Sequence, residues 1–325
     1  MGGLDPRRSI AENYRVFGRE ARGRSAMYES LAAAVAGDGL VLGFLVRLPP
    51  PKRQPNLLFA AAGYLLGVPP DITALRTLVR RNGAELTQVM LARRTQTNEP
   101  ARCATLLPAL ARLPEPLALI EVGASAGLTL LFDRYTYDYG GRHLIAGSDP
   151  HAPTLRCAVR GPVPLPARMP AIAWRAGLDL NPLDVARDDD VRWLSCLVWP
   201  GEGDREERLT AAIASARRDP PPVYRGDLLT DLPALAAQAP AEATLVIFHS
   251  AVLAYVAPRD RDRFARTVRG LAAVWLSNEA PGVVPGLPLA EYREGTFVLG
   301  HGGRTPLAFA DGHGTWLHWL DGAGG

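Results

Sequence analysis

The sequence predicts an α/β protein with a doubly wound, mostly parallel sheet and a helical N-terminal extension. Before residue 117, apolar residues recur every three or four positions, as on the buried face of a helix, and no strand-like alternation is present. From residue 117, short apolar runs alternate with helix-spaced segments, which is typical of a parallel sheet with helices on both faces. The first run, "LALIEV" (117–122), ends in glycine, as a buried parallel strand does.

The helical extension is assigned to residues 1–100. Helix-spaced apolar residues run from 7 to 48, and the proline-rich segment "PPPKRQPN" then interrupts the pattern. Helical spacing resumes in "NLLFAAAGYLLG", in "DITALRTLVRRNGAELTQVMLARR" and in "EPARCATLLPALARL". The rest of the chain, residues 101–325, is assigned to a Rossmann-like domain, and we expect the extension to form a lid over it because small-molecule sites are enclosed.

Strand-like segments in the second part of the chain number seven. The last two are joined by only the short polar link "GRT", so they predict an antiparallel hairpin at one edge. Seven strands with that ending is the count expected of a class I methyltransferase sheet. A helix is predicted directly after the first strand, in "AGLTLLFDRY". The strand-like segments are "LALIEV", "AIAWRAGLDL", "PVYRGD", "ATLVIFHS", "AAVWLSNE", "GTFVLGHG" and "PLAFADGHGTWLHW".

Composition excludes several classes of function. Hydrophobic residues make up 47% and charged residues 21% of the chain, which is enough apolar material for a packed core. The 36 basic residues are nearly balanced by 33 acidic ones, which gives no case for a nucleic-acid-binding face, so no nucleic-acid partner is expected. Lys52 is the only lysine, and it lies in neither a phosphate-binding loop nor a context suited to a Schiff base with pyridoxal phosphate.

The cysteines and histidines predict neither disulfides nor a metal site. Three cysteines lie far apart, and the six histidines are scattered, so no metal is expected. This cysteine usage is typical of a reducing cytosol. The N-terminus lacks an apolar signal core, and the longest apolar stretch, near "LLFAAAGYLLGV", is too short to span a bilayer. We therefore expect a cytoplasmic protein with no membrane partner.

The segment "GASAG" (123–127) after the first strand fits two different patterns. As G-x-S-x-G it matches the nucleophile elbow of a serine hydrolase that uses Ser125, with His313 or His318 and with Asp227 or Glu279 available as later partners. The oxyanion loop expected upstream of such an elbow is missing, and the elbow would follow the first strand rather than several strands. The hydrolase is therefore the weaker alternative.

As a cofactor loop, the same segment makes better use of its neighbours. Gly123 and Gly127 allow a sharp turn and a close approach to a ligand that a Cβ would obstruct. Ser125 is small and can donate a hydrogen bond, and a helix beginning near Ala126 would present unpaired amides. Glu121, at the strand end, is positioned to bind a charged amino group or to orient the loop.

Acidic residues follow the next two strands as well. Asp179, with Asp184 as the alternative, suits the ribose hydroxyls of a nucleoside, and Asp227 suits an adenine amino group, although each is also a typical helix N-cap. His249 ends the fourth strand and is a candidate general base. Tyr255, six residues later, is a candidate contact with the substrate, or it packs a helix.

The polar segment "QTNEPAR" (96–102) is the candidate substrate-binding stretch. Gln96, Asn98 and Glu99 precede a proline that suits the start of a helix, so local capping is the alternative explanation. The density of polar residues exceeds what capping needs. We therefore expect these three side chains to face the substrate pocket together with His249, and Arg102 to engage a carboxylate.

Several segments together resemble a known bacterial family. In order, "TQTNEPARCATLLPAL", "LIEVGASAGLTLLFDRYTYDYGG", "AGLDLNPLDV" and "VIFHSAVLAYVAP" resemble the family catalogued as domain of unknown function 2332, and the resemblance covers nearly the whole chain. It implies a methyltransferase-like Rossmann fold with a helical N-terminal extension, and it implies no activity.

Three hypotheses about function follow from these patterns. The first is an S-adenosylmethionine-dependent methyltransferase that modifies oxygen or nitrogen in a small metabolite. The second is a catalytically idle methyltransferase-like fold that binds a nucleotide or a metabolite. The third is the serine hydrolase that uses Ser125.

Overall fold

The chain forms two compact units. The computed structural model describes residues 6–141, 143–288 and 295–320. The first unit contains Met1–Thr97 and Arg187–Glu207, and the second contains Asn98–Ala186 and Arg208–Gly325. The segment Arg187–Glu207 lies within the range 101–325 that the sequence assigned to the second domain. The lid role of residues 1–100 stays a prediction.

Helices are the only regular elements in the described part of the chain before residue 117, as predicted, and they are joined by turns and by the irregular segment 93–99. Ser25, Asp38 and Asp71 each precede a helix and accept hydrogen bonds from its first amides, which fixes where α2, α3 and α5 begin. The helices are α1 (Pro6–Ala21), α2 (Ala26–Ala36), α3 (Gly39–Val46), α4 (Pro55–Leu66), α5 (Ile72–Arg81), α6 (Gly83–Ala92), α7 (Arg102–Leu110), α8 (Asp188–Cys196), α9 (Gly203–Arg218), α10 (Leu232–Ala236) and α11 (Pro258–Gly270).

The core of the first unit is aromatic. The ring of Phe59 lies 4.8 Å from that of Tyr28 and 5.7 Å from that of Phe17, and Phe17 lies 4.9 Å from Trp199. Trp199 belongs to the segment Arg187–Glu207, so this contact ties that segment to the N-terminal helices of its own unit. Aromatic pairs of this kind add to the free energy gained from burial alone.

The second unit is built on one mixed sheet. The five strands β7, β6, β1, β8 and β9 are parallel, and β10, β11 and β12 continue the sheet in an antiparallel meander. The strands are β1 (Leu117–Val122), β2 (Thr136–Tyr139), β3 (His143–Ile145), β4 (Thr154–Arg156), β5 (Ala158–Arg160), β6 (Ile172–Asp179), β7 (Val223–Arg225), β8 (Thr244–Ser250), β9 (Val274–Glu279), β10 (Thr296–His301), β11 (Thr305–Asp311) and β12 (Trp316–Trp319).

The prediction of seven strands is corrected to nine in this sheet, in the order β5-β12-β11-β10-β9-β8-β1-β6-β7. The segment "PLAFADGHGTWLHW" forms two strands rather than one because a turn around Gly314, at φ +80°, reverses the chain. The short strand β5 then pairs with β12 at the edge. The mixed α/β class is confirmed.

A second, three-stranded sheet in the order β3-β2-β4 was not predicted. Its central strand carries the alternating sequence "TYDY", and Tyr137 and Tyr139 are both buried. Alternation of this kind favours a half-buried strand, so the signal was present in the sequence.

The helix predicted after β1 is also wrong, since only a short 3₁₀ turn, Leu128–Leu130, is present. In a helix the carbonyls of this segment would accept from amides four residues later. Instead the carbonyl of Leu128 accepts from the Tyr135 hydroxyl at 2.7 Å, and that of Phe132 accepts from the Tyr137 hydroxyl at 2.8 Å. The tyrosines therefore take the acceptors that a helix would need.

Helices pack on one face of the main sheet near β1, and the segment that follows β1 packs on the other. On one face, Ile120 and Ile247 pack with Phe264 and Val268 of α11 and with Leu232 of α10. On the other face, the rings of Phe132 and Phe248 lie 5.6 Å apart. Because both faces of the sheet are covered, a ligand site can form at the carboxyl ends of the parallel strands.

Among the residues that the structure describes, no single helix is both long enough and apolar enough to cross a membrane. The bent pair α2 and α3 reaches that length and composition only in combination, with an angle of 82° between the two helices.

Candidate functional site

The candidate site lies at the carboxyl ends of β1, β6 and β8. From β1 the chain proceeds to β6 and β7 on one side, and β8 and β9 lie on the other side. The point between β1 and β8 is therefore the topological switch point, where ligands of open parallel sheets bind. Two loops meet there, residues 123–127 after β1 and residues 251–253 after β8.

The loop 123–127 is tightly packed against protein. Gly123 has φ +73° and Gly127 has φ +72°, which only glycine adopts without strain. A Cβ at Gly123 would overlap Val252, and a Cβ at Gly127 would come within 2.7 Å of Pro221. The close approach that requires glycine here is thus an approach to other loops of the protein.

Ser125 and Asp179 hold this loop together. Ser125 is buried and has φ +53°, an uncommon conformation for a residue with a side chain. The Asp179 carboxylate, at the end of β6, accepts from the Ser125 amide at 2.8 Å and from the Asn181 amide at 2.7 Å. The predicted ribose-binding residue is therefore also the anchor of the glycine loop, and it is partly exposed.

Asn98 and Glu99 are brought to the same loop and are not directed to bulk solvent, since they are only 7% and 3% exposed. The Asn98 side-chain oxygen accepts from the amide of Leu128 at 2.8 Å and so caps the 3₁₀ turn. The Glu99 carboxylate accepts from Arg208 at 2.7 Å and from the Ala101 amide at 3.1 Å. Asn98 therefore bonds a turn 30 residues away and not the helix that follows it, whereas Glu99 makes the local contact at the start of that helix. A substrate role for these residues stays a prediction.

Arg102 lies at the start of α7 and is also buried, at 7% exposure. Its guanidinium donates to the carbonyl of Ser250 at 3.2 Å and to that of Gly312 at 3.0 Å. It therefore connects the end of β8 to the turn between β11 and β12. The sequence suggested that Arg102 binds a carboxylate of the ligand. In the structure its guanidinium donates to these two backbone carbonyls.

Glu121 is a buried acid at the end of β1. The hydroxyl of Thr129 donates to its Oε1, and its Oε2 has no hydrogen-bond partner among the described residues. Burial raises the pKa of Glu121 to about 8, against the lowering effects of Thr129 and of the Arg102 charge. The side chain is therefore mostly protonated at neutral pH, and it binds a cationic amino group less strongly than the ionised carboxylate assumed from the sequence would.

A buried polar group that the sequence did not reveal lies on β9, beside the end of β8. The Asn278 side-chain amide on β9 donates to the Ser250 hydroxyl at 3.1 Å and to the Thr105 hydroxyl at 3.4 Å. Its oxygen has no partner within the described ranges. Asn278 precedes a strand-end glutamate and gave no distinct signal in the sequence.

His249 is completely buried, and the protein occupies both of its ring nitrogens. Nδ1 lies 2.7 Å from Oε1 of Glu279, and Nε2 accepts from the indole N–H of Trp275 at 2.9 Å. Glu279 Oε1 also accepts from the amides of Val252 and Leu253, at 2.8 and 3.1 Å. In this arrangement His249 supports the second loop and offers no lone pair to a substrate.

The remaining predicted residues are spread around the site. Asp227 follows β7, and its carboxylate accepts from the Leu229 amide at 2.7 Å, which holds a turn ahead of α10 and does not cap that helix, whose N-cap position is Asp231. Tyr255 is 59% exposed, so it does not pack a helix core. Gln96 is partly buried and belongs to the first unit, whereas Asn98 begins the second.

The hydrolase and metal expectations can be compared with the same geometry. A nucleophile elbow joins a strand to a helix, whereas Ser125 is followed by the 3₁₀ turn. Among the described residues no cluster of three or more histidine, cysteine, aspartate or glutamate side chains could hold a metal ion.

Comparisons with known proteins identify a family. No curated protein and no solved structure matches the chain. A family model described as "Uncharacterized protein conserved in bacteria (DUF2332)" matches residues 11–319, which is nearly the whole sequence. The chain therefore belongs to the DUF2332 family of bacterial proteins.

Proposed function

We propose that this protein binds S-adenosylmethionine at the carboxyl ends of β6, β1 and β8, and that it methylates oxygen or nitrogen in a small metabolite. The proposal includes the finer interpretation of the fold, that the sheet is related to that of class I methyltransferases. The observation that carries it is the parallel order β7-β6-β1-β8-β9, which puts a glycine loop and an acidic residue on neighbouring strand ends at the switch point.

The residues at the end of β6 fit the nucleoside part of this ligand. The Asp179 carboxylate accepts the amides of Ser125 and Asn181 and is partly exposed, and a ribose hydroxyl is a donor of the kind that a carboxylate accepts. Leu180, the next residue, is 50% exposed and offers an apolar surface to a purine ring. Asp227 remains the candidate for the adenine amino group.

The first turn after β1 favours a ligand without a pyrophosphate. Dinucleotides place their phosphates on the free amides at the start of a helix. Here that helix is replaced by the 3₁₀ turn, and its amide at Leu128 is taken by Asn98. A sulfonium nucleoside needs no such amides, so S-adenosylmethionine fits this turn better than NAD does.

Methyl transfer requires few catalytic groups from the chain. When bound, S-adenosylmethionine supplies an electrophilic methyl group, and the protein's task is to align the acceptor and to exclude water. Glu99, Arg102 and Asn98 are buried near the glycine loop, and Gln96 and Tyr255 are the remaining candidates for contact with the acceptor.

The idle fold is retained as a second candidate because of the hydrogen bonds of the strand-end groups. His249 uses both nitrogens on Trp275 and Glu279, so the predicted general base cannot take a proton in this arrangement. A protein with this site would bind the nucleoside and catalyse nothing.

Calorimetry combined with a methyl-transfer assay tests the proposal. We expect S-adenosylhomocysteine to bind, Asp179→Ala to weaken its affinity about tenfold, and NAD and ATP not to bind. Asp71→Ala, which removes a carboxylate cap from α5 in the first unit, is the matched control and should leave affinity unchanged. Failure of S-adenosylhomocysteine to bind overturns the proposal, and binding with no transfer to any acceptor in a metabolite panel favours the idle fold. Labelling of Ser125 by a fluorophosphonate, lost in Ser125→Ala, would support the hydrolase instead.

A further inference from the structure

A chain of hydrogen bonds runs through the interior from β9 to the second loop of the site. It begins at the Trp275 indole, passes through His249 and ends at Glu279, whose Oε1 accepts the amides of Val252 and Leu253. His249 and Glu279 are 0% and 1% exposed. All of these contacts lie within the second unit.

The partners of His249 fix its chemical form. An indole N–H is only a donor, so Nε2 of His249 must be an acceptor and carries no proton. The proton of the neutral ring is then on Nδ1, which donates to Glu279 Oε1 at 2.7 Å. The Phe264 ring, 5.5 Å away and nearly perpendicular, packs against the imidazole and holds its orientation.

Glu279 in turn fixes an unfavourable backbone conformation. Ala251 has φ +58°, which costs a residue with a Cβ free energy relative to ordinary conformations. Its amide donates to the carbonyl of Asn278 at 3.1 Å, and the next two amides donate to Glu279. Several hydrogen bonds therefore hold this loop at once, and a strained backbone such as that of Ala251 persists only when its surroundings hold it in this way.

Residues 251–253, held in this way, pack directly against the glycine loop 123–127. Val252 packs so closely on Gly123 that a Cβ there would overlap its side chain. The position of Val252 thus limits where the backbone after β1 can lie. A change at His249 reaches the glycine loop through Glu279 and Val252, without any contact between His249 and a ligand.

We propose that His249 is a positioning residue of the site. Through Glu279 it holds residues 251–253 against Gly123, and it sets the shape of the loop that receives the nucleoside. The nucleoside is taken from the proposed function, whereas the control of the loop by His249 stands on the geometry alone. A general base at this position would need a lone pair that Trp275 already occupies.

Hydrogen exchange and ligand binding, measured on the full chain, test this inference. The variants are His249→Leu, which removes both hydrogen bonds, and His249→Asn, whose amide can still donate to Glu279. Trp275→Phe removes only the indole donor. Tyr137→Phe is the matched control, because it also removes a buried side-chain hydrogen bond in the second unit, to the Phe132 carbonyl.

We expect His249→Leu to speed exchange of the Val252 and Leu253 amides at least tenfold and to weaken S-adenosylhomocysteine binding about tenfold. His249→Asn should restore much of the protection, and Trp275→Phe should have the smaller effect. In ¹⁵N NMR spectra of the wild-type protein, the His249 ring should carry its proton on Nδ1, and Trp275→Phe should allow both tautomers.

Several results would overturn the inference. One is faster exchange spread evenly over the second unit in His249→Leu, as in Tyr137→Phe. Another is loss of methyl transfer in His249→Asn with loop protection and ligand affinity unchanged, which would make His249 a catalytic base. If wild-type protein does not bind S-adenosylhomocysteine, the proposed function fails, and the exchange and NMR measurements still decide the role of His249. If His249→Leu does not fold, His249→Asn and Trp275→Phe provide the same test.

Discussion

The loops after β1 and β8 each contain a strained residue that a carboxylate stabilises, but the two carboxylates have different surroundings. Each contains one residue with a side chain at positive φ, Ser125 at 53° and Ala251 at 58°. Each is held by a carboxylate that accepts two backbone amides, from Asp179 in the first loop and from Glu279 in the second. The two carboxylates differ in their surroundings, because Asp179 is partly exposed and Glu279 is fully buried and backed by His249.

This difference separates a loop that can respond to a ligand from one that cannot. Water or a ligand hydroxyl can reach Asp179, so rearrangement of the first loop exchanges one hydrogen bond for another at little cost. Opening the second loop would leave Glu279 and two amides without partners in the interior, which costs the full desolvation of these groups. We infer that the first loop adapts and the second serves as its fixed support.

Replacing each carboxylate by alanine should give the largest contrast between the loops. Glu279→Ala leaves the His249 N–H and the Val252 and Leu253 amides unpaired in the core, so we expect a loss of about 3 kcal/mol in the free energy of unfolding. Asp179→Ala removes the acceptor of two amides at a position that is itself partly exposed to water, so it should cost less, about 1 kcal/mol. Urea denaturation followed by tryptophan fluorescence measures both. Equal losses would contradict the distinction between a buried and an accessible support.

Glu121 should make the free energy of unfolding depend on pH, and the expected effect is of intermediate size. Glu279 Oε1 accepts three hydrogen bonds, whereas Glu121 accepts only the Thr129 hydroxyl, and burial raises the pKa of Glu121 from 4.5 to about 8. The folded state then binds more protons than the unfolded state between these pH values. Stability from Glu121 is therefore complete below pH 4.5 and is lost as the pH rises towards 8, by up to about 1.4 kcal/mol per pH unit.

The side chain of the variant Glu121→Gln cannot ionise. The variant should therefore lack this contribution to the change of the free energy of unfolding with pH. We would measure the free energy of unfolding of both proteins by urea denaturation at several pH values from 5 to 8. The difference between variant and wild type should change in favour of the variant as the pH rises. A difference that stays constant over this range would show that Glu121 is ionised in the folded protein.

The smallest effect is expected at the left-handed residue of the second loop. Ala251→Gly removes a cost of about 1 kcal/mol for an L-residue at φ +58°, and it adds a similar entropic cost in the unfolded chain. The net change should stay within about 1 kcal/mol. Ala251→Val, with a branched Cβ at the same φ, should instead destabilise by about 2 kcal/mol. Similar melting temperatures for the two variants would show that the loop is free to relax.

Local patterns predicted most of the fold correctly. Helical spacing before residue 117 and the apolar runs of the parallel strands reflect burial of one helix face or of a whole strand, and burial is visible in the sequence. The helix after β1 was predicted wrongly because the spacing of "AGLTLLFDRY" is helical, whereas hydroxyls of later tyrosines take the carbonyls. Such long side-chain interactions leave no periodic signal.

The candidate site was predicted only as a set of strand ends. The topology explains why Glu121, Asp179 and His249 come to one edge, since parallel strands share a direction. The partners of these residues could not be predicted. Trp275 meets His249 only because β8 and β9 are neighbours in the sheet, and nothing within either strand's sequence encodes that pairing.

The two edge strands of the nine-stranded sheet oppose the addition of further strands from other chains. Both outermost strands are short, Ala158–Arg160 at one end and Val223–Arg225 at the other, and three prolines (220–222) precede the latter. An exposed strand edge is a template for pairing with another chain, and short edges, prolines and charged side chains oppose such pairing. The two shortest strands of this wide sheet thus protect it from edge-to-edge aggregation.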